Sequence, residues 1–582
     1  MNPDESLERD ERAIPGTSGA SAAGPSRRAV LQLLATAGVG TAVFRRALAD
    51  EASKSGAITA EQIATAEWIS GFTLSDEDRR RLAASLPELH EDLRKIRSIS
   101  VNFDELSCLR FDPEVAAPFI REQSSRARPW LSSKDQSQPD EPVRRPEELA
   151  WLPIRTLARL LRQRQISSEE LTQSCLQRLR RMDPMLNCVV TLTEDLALQQ
   201  ARVADQELAA GKDRGLLHGI PWGAKDLIAV SGYATTWGIP QFKDRNLPQK
   251  AAIASKLEAA GAVLVAKLST GALAMGDQWH KGKTRNPWNT EQGSSGSSAG
   301  SASAVAAGLV PFAIGTETLG SIVSPARRCG VAGLRPSFGR ISRAGCMALS
   351  WTMDKPGPLA RTVDDCGLVF QAVHGADTED PSSVDRWFQW PMHVDLSALR
   401  IGKVTDSAIQ AADQAALDHL QSLGAKIIDI TLPRDLHEYA LTTMLEVEAA
   451  CIFQKFTNEG VTEGLNVWPG IFQKARFVSA VDYLQASRIR LQLMQKMAEV
   501  FQKVDLYVGG DDLGIANLTG HPTIVVPSIM QDKQPQRRPE CATLTAGLYD
   551  EATLLAVAQL IEQKADVVQY HPAIDPETMP KP

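Results

Sequence analysis

Apolar positions change their spacing several times along the chain, and each change predicts an element. Between 50 and 115 they recur three and four residues apart, in AEQIATAEWISG and EDRRRLAASLPELHEDLRKI. That period predicts a helical region over 50–120, with Thr73 or Ser75 capping its second helix. The polar, Pro-rich stretch 121–146 predicts a linker. Helical spacing returns in LAWLPIRTLARLL and breaks at Gln165–Ile166. It resumes behind a Ser167 or Ser168 cap, with Glu170 close behind, in a helix running to about Met182. ALQQARVADQELAAG predicts a further helix ended by Gly211, and LLHGIPWGAKDLIAV then shifts to turn residues and β-branched runs. From 250 a helical pattern (AAIASKLEAAG) precedes a strand pattern (AVLVAKL) and a Gly/Ser-rich loop. Strands alternating with helices predict an α/β sheet with covered faces.

The run 293–308, GSSGSSAGSASAVAAG, has the composition of a flexible linker. It passes without a break into AVAAGLVPFAIGTETLGS, which is too apolar to remain in water. Small residues inside buried sequence predict close backbone approach around a site.

The N-terminus has a different pattern. Residues 1–26 are polar, Arg27 and Arg28 follow, and 29–44 (AVLQLLATAGVGTAVF) carry no charge. Ala47-Leu48-Ala49 closes the segment as an A-x-A cleavage site. SRRAVLQ resembles the twin-arginine motif, which exports folded proteins. The apolar stretch, about 16 residues, is short of the roughly 20 that span a bilayer. This predicts a signal over 1–49, an exported, periplasmic protein without stable membrane insertion, and a mature chain of 582 − 49 = 533 residues.

Composition narrows the function classes. With 43% hydrophobic and 23% charged residues, the 582-residue chain is neither disordered, collagen-like nor a coiled coil. Lys+Arg at 63 against Asp+Glu at 70 gives −7, no electrostatic footprint for nucleic acid. The eight cysteines (Cys108, Cys175, Cys188, Cys329, Cys346, Cys366, Cys451, Cys541) form no C-x-x-C and no zinc spacing with His.

Candidate chemistry lies in three stretches. GIPWGAKD places Lys225 in a turn between apolar strands. Burial there would lower its pKa and free the amine to act as a base; a salt bridge to Asp226 is the alternative. Gly296-Ser297-Ser298 lies in the Ser-rich run. In GTETLGSIVSP, Ser321 follows a tight turn that can aim several N–H groups at one point, or Ser321 is a cap on a structural turn. Elsewhere, His218 reads as structural, Trp279–His280 as pocket lining or buried packing, and NLTGHPTIVVP (517–527) as scaffold. Asp511–Asp512 are paired carboxylates without a third metal ligand.

Together the three stretches resemble the amidase signature family, the Ser–cis-Ser–Lys hydrolases. Asn286-Pro287-Trp288 precedes Ser297, and Ser321 follows it by 321 − 297 = 24 positions. LHGIPWGAKD, Thr235-Thr236-Trp237-Gly238, CGVAGLRPSFGRISRAG and MDKPGPLAR match further family segments, over about 147–565. The resemblance implies a central twisted mixed β-sheet covered by helices on both faces, in a domain over 147–570 with an N-terminal helical extension and a tail at 571–582. It implies Lys225 as general base, Ser297 as bridging serine on a cis peptide bond, and Ser321 as nucleophile. The N–H groups of Thr318, Leu319, Gly320 and Ser321 would form the oxyanion hole. It implies no cofactor, no metal and a small-molecule amide substrate, and leaves a homodimer open. The chain departs from the family pattern at Ser295, Glu317, Leu319 and Val323. The expectation is an exported amidase. An amide-transferring subunit of tRNA-dependent Gln or Asn formation would be cytosolic, against the signal. A silent binding protein would not keep Lys225, Ser297 and Ser321.

Overall fold

A computed structural model describes residues 58–70, 73–99, 146–531 and 537–574. The predicted signal, nearly all of the linker and the end of the tail lie outside the described residues.

The first two helices, α1 (Ala60–Ser70) and α2 (Asp76–Ser98), form a hairpin. Of the two candidate caps it is Ser75 that acts, accepting the Asp78 N–H at 3.1 Å. Ile63 and Ala66 of α1 meet Leu82, Leu86, Leu89 and Leu93 of α2 in a small apolar core. Helix α3 (Ser168–Leu186) begins at Ser167 with a reciprocal capping box to Glu170. It runs one turn past Met182, because Asn187 takes the left-handed conformation that ends it.

Eleven strands build the sheet: β1 (Val189–Leu192), β2 (Pro221–Lys225), β3 (Val263–Leu268), β4 (Phe312–Glu317), β5 (Ala332–Arg335), β6 (Lys355–Ala360), β7 (Arg400–Val404), β8 (Lys426–Ile430), β9 (Leu506–Val508), β10 (Thr523–Gln531) and β11 (Arg538–Ala546). Their spatial order is β1-β3-β2-β4-β6-β5-β10-β11-β9-β7-β8. The triplets β3-β2-β4 and β9-β7-β8 are parallel and all other neighbours antiparallel, so the sheet is mixed, as expected.

No residue of β2, β3 or β6 is exposed. Trp222, Leu264, Phe312 and Ile314 enter the core on one face, while Val263, Val265, Ala313 and Leu359 enter the core on the other. Period-2 side chains buried on both sides require helices on both faces. Each such Val, Leu, Ile or Phe side chain contributes about 1.5–3 kcal/mol.

The Ser-rich run is a buried helix, α4 (Ala299–Ala306), with all eight residues buried. Its hydroxyls are satisfied inside the fold: Ser301 donates to the Ile314 carbonyl at 3.1 Å and Ser303 to that of Arg285 at 2.8 Å. Further helices are α5 (Val323–Cys329), α6 (Thr443–Ile452), α7 (Trp468–Ala475), α8 (Ala480–Lys503) and α9 (Leu513–Thr519). The α1–α2 hairpin docks through α2 against α7 and α8. The seven described cysteines are free thiols. No helix among the described residues is long and apolar enough to cross a membrane.

Gly300 gives a test of this packing. A Cβ there would lie 2.4 Å from the Ser269 nitrogen and 2.6 Å from the Cys188 oxygen, both backbone atoms. Gly→Ala inside a helix ordinarily stabilises by about 1 kcal/mol. Gly300→Ala is expected to destabilise by about 1–3 kcal/mol instead, because α4 must move off the sheet. Urea unfolding of the two proteins measures the sign.

Candidate active site

Lys225 is the last residue of β2 and is fully buried. Its Nζ lies 2.8 Å from Ser297 Oγ, 3.1 Å from Ser298 Oγ, 2.8 Å from Thr316 Oγ1 and 3.1 Å from the Thr316 carbonyl oxygen. The partners come from two elements, β4 and the turn entering α4, which meet Lys225 at the end of β2. Burial pushes the amine's pKa down to about 7, against the opposing pull of Asp354 and Glu317.

The hydrogen-bond pattern fits a neutral amine. Ser298 Oγ donates to the Thr316 carbonyl at 3.0 Å and accepts the Thr316 N–H at 3.1 Å. Its proton is therefore spent, and toward Lys225 it can only accept. The Thr316 carbonyl also only accepts. These two take both hydrogens of an –NH₂ group, leaving its lone pair for a hydroxyl proton from Ser297 or Thr316.

The alternative partner for Lys225 is excluded. Asp226 points to the other side, where Lys267 Nζ lies 2.7 Å from its Oδ1 and the Thr236 N–H donates to Oδ2 at 2.9 Å. Adjacent residues at a strand end face opposite ways, so neighbours in sequence are not neighbours in space.

Ser321 lies in the turn two residues before α5, and its carbonyl accepts the Ser298 N–H at 3.1 Å. This places it beside the Ser297–Ser298 turn. No hydrogen bond joins its hydroxyl to Ser297 among the described residues, so the relay's second leg is direct and its first is not. The turn before Ser321 is shaped from below. Buried Glu317 accepts the N–H groups of Ile322 at 2.7 Å and Val323 at 2.9 Å, and pairs with Arg335 at 2.9 Å and Asn517 at 2.7 Å. Burial opposes the Glu317 charge, but Arg335, the Val323 N–H and Asn517 hold its pKa down at about 2. Among the described residues no acceptor takes the N–H of Thr318, Leu319, Gly320 or Ser321. Four open donors in one turn can stabilise an oxyanion. Gly320 carries the left-handed conformation at φ 87°, while Leu319 stays at negative φ, so the leucine is accommodated.

One expectation is corrected. The cis peptide bond among the described residues is Trp390–Pro391, and the bond preceding Ser297 is trans. The chain turns here through Ser295 and Gly296 at φ 65° and 54°, with the Ser295 N–H held by Asp277 at 2.9 Å.

His218 is buried, accepts the Arg214 N–H at 3.2 Å and lies 3.2 Å from Glu207, a structural role. Trp279 donates to the Asn187 carbonyl at 3.3 Å and the His280 N–H to that of Gly238 at 3.0 Å; neither bonds to the three candidates. Asp512 accepts from the Tyr507 hydroxyl. Asn517, expected only as scaffold, reaches Glu317. The motifs alone give Ser298, Thr316 and Asp354 no role, although all three lie in motif segments, close to the residues that do carry one.

Known proteins resemble this chain in sequence and fold. The family model described as Amidase matches residues 170–509. The A subunit of glutamyl-tRNA(Gln) amidotransferase from Pseudomonas aeruginosa is 34% identical over 481 residues, covering 72% of this chain and 98% of that protein. Its counterpart in Methylococcus capsulatus is 33% identical, covering 71% and 97%. The solved peptide amidase of Stenotrophomonas maltophilia superposes with a TM-score of 0.63 at 26% identity, covering 73% of this chain and 98% of that one. A 6-aminohexanoate cyclic dimer hydrolase shares the fold, with a TM-score of 0.65 at 24% identity over 73% of this chain and 99% of that one. Matched over more than half its length, and built on the same sheet as solved amidases, the chain belongs to the amidase signature family.

Proposed function

We propose that this chain cleaves the C–N bond of a carboxamide through an acyl-enzyme on Ser321. The observation that carries the reading is the dry, near-neutral Lys225 amine at 2.8 Å from Ser297 Oγ. Ser321 Oγ attacks the carbonyl carbon and its proton passes to Ser297 Oγ, whose own proton passes to the Lys225 lone pair. The open N–H groups before Ser321 receive the oxyanion. The ammonium then returns a proton along the same route to the leaving nitrogen, and water repeats the sequence on the ester.

A second reading is favoured by the curated relatives, whose whole length is matched: an amidotransferase component that releases ammonia for transfer and works with further subunits. The similarity to the solved peptide amidase supports a hydrolase of amide bonds. Purified chain assayed separately with glutamine and with a C-terminally amidated peptide distinguishes them. Turnover of the peptide without a partner favours the amidase, and activity confined to glutamine the amidotransferase component. The export reading argues against a cytosolic tRNA role. It rests on Arg27, Arg28 and the A-x-A site. Changing both arginines to Lys is expected to strand the protein in the cytoplasm on cell fractionation; unchanged export would overturn the signal.

Ser321→Ala is expected to abolish hydrolysis and fluorophosphonate labelling with the melting temperature kept; labelling mapped to another serine overturns the nucleophile. For the base, kcat/KM should rise with pH through about 7. The same amine carries a stability signature. Its folded pKa lies below the unfolded value, so the unfolded chain binds more protons in the window between about 7 and 10.5. Wild-type stability therefore gains as pH rises across that window. Lys225→Met, which lacks the titration, should be inactive, and its Tm relative to wild type should fall steadily from pH 7 to pH 10. A constant Tm difference would show that the amine is not held neutral.

A further inference from the structure

We infer that Asp354 is a positioning residue of this site, fixing Thr318 at the head of the oxyanion turn and acting on Lys225 through its charge. The inference rests on the roles proposed for Lys225 and Ser321.

Asp354 lies in the loop just before β6 and is only 8% exposed. Its Oδ1 accepts the Thr318 hydroxyl at 2.6 Å. Its Oδ2 accepts the N–H groups of Leu349 at 2.8 Å and Ser350 at 3.0 Å. Three neutral donors thus satisfy the carboxylate, and no Lys, Arg or His among the described residues forms an ion pair with it. The other carboxylates around the site are neutralised at contact: Asp226 by Lys267 and Glu317 by Arg335. The charged or titratable groups acting on Lys225 are Asp354, Glu317 and Cys346, of which Asp354 has the strongest pull. Those acting on Asp354 include Arg343, Lys355 and Cys346. Lys355 is itself buried, with burial driving its pKa well down, and donates to the Met353 carbonyl. Burial raises Asp354's own pKa, against the hydrogen bonds from Thr318, Leu349 and Ser350 and the charge of Arg343, and its pull is the strongest of the carboxylates acting on the amine.

The loop is held from outside the sheet. Buried Glu448 of α6 accepts the Ser350 hydroxyl at 2.7 Å, the Thr352 hydroxyl at 2.7 Å and the Tyr483 hydroxyl of α8 at 2.9 Å. Arg490 of α8 donates to the Thr352 carbonyl at 2.7 Å. Two helices remote in sequence thereby fix the carboxylate that fixes the turn.

The test is the rate of fluorophosphonate labelling of Ser321 as a function of pH, which needs no substrate identity. In the full chain the rate should rise with a midpoint near 7, and Lys225→Met should abolish that rise. Asp354→Asn removes the charge, so the midpoint should move down by about half a pH unit or more. Thr318→Val cuts the tether and keeps the charge, so the rate should fall about tenfold with the midpoint unmoved. A folded Asp354→Asn with an unshifted midpoint overturns the electrostatic role, and Thr318→Val labelling at the wild-type rate overturns the positioning role. Should Asp354→Asn fail to fold, Thr318→Val decides alone, wild-type labelling overturning the inference. If Lys225→Met leaves the wild-type profile intact, the triad reading itself falls, an outcome distinct from failure of Asp354 alone.

Discussion

The Lys225 amine sits where no water reaches, and the surrounding chain is arranged to make that tolerable. A buried ammonium without a carboxylate partner is costly, and here burial lowers the amine's pKa to about 7 with no acid placed in contact to offset it. The two obligatory acceptors, Ser298 Oγ and the Thr316 carbonyl, match the two hydrogens of a neutral amine. Three elements must converge within hydrogen-bond distance of one atom, and that demand sets the local architecture.

Convergence requires thin packing. A Cβ at Gly315 would stand 2.6 Å from Ser298 Oγ, and one at Gly300 would strike backbone. Helix α4 is built from Ala, Gly, Ser and one Val, so it can lie against strands that a helix with larger side chains could not approach. Its serines then need acceptors, which neighbouring carbonyls supply. The composition that resembles a linker is what close contact between a helix and a sheet demands.

Charge is distributed with the same economy. Asp226 and Glu317 are fully buried and each is matched by a buried cation and further hydrogen bonds. The Glu317 pair shapes the turn that carries Ser321. Of Asp226, Glu317 and Asp354, the last is the one held by neutral donors, and it occupies the junction between that turn and the helices α6 and α8. The carboxylates matched by cations hold structure, while Asp354 exerts the strongest pull on the amine, ahead of Glu317.

By itself the sequence determined the α/β class, the approximate starts of several helices with two candidates for each cap, and the motif segments containing Lys225, Ser297 and Ser321. Those are local properties: period, turn chemistry and short spacing survive in a linear string. Which groups meet across the fold was left open. Whether Lys225 bonds Asp226 or Ser297 depends on the direction of side chains at the end of β2. Whether Asn517 touches Glu317, 200 positions away, depends on the sheet placing β10 and its preceding helix beside β5. Asp354 and Glu448 acquire their roles only because a loop and two distant helices close on the same turn. The geometry of the Ser295–Gly296 turn likewise had to come from the tertiary structure, because a motif records which residues are present and not the dihedral angles they adopt.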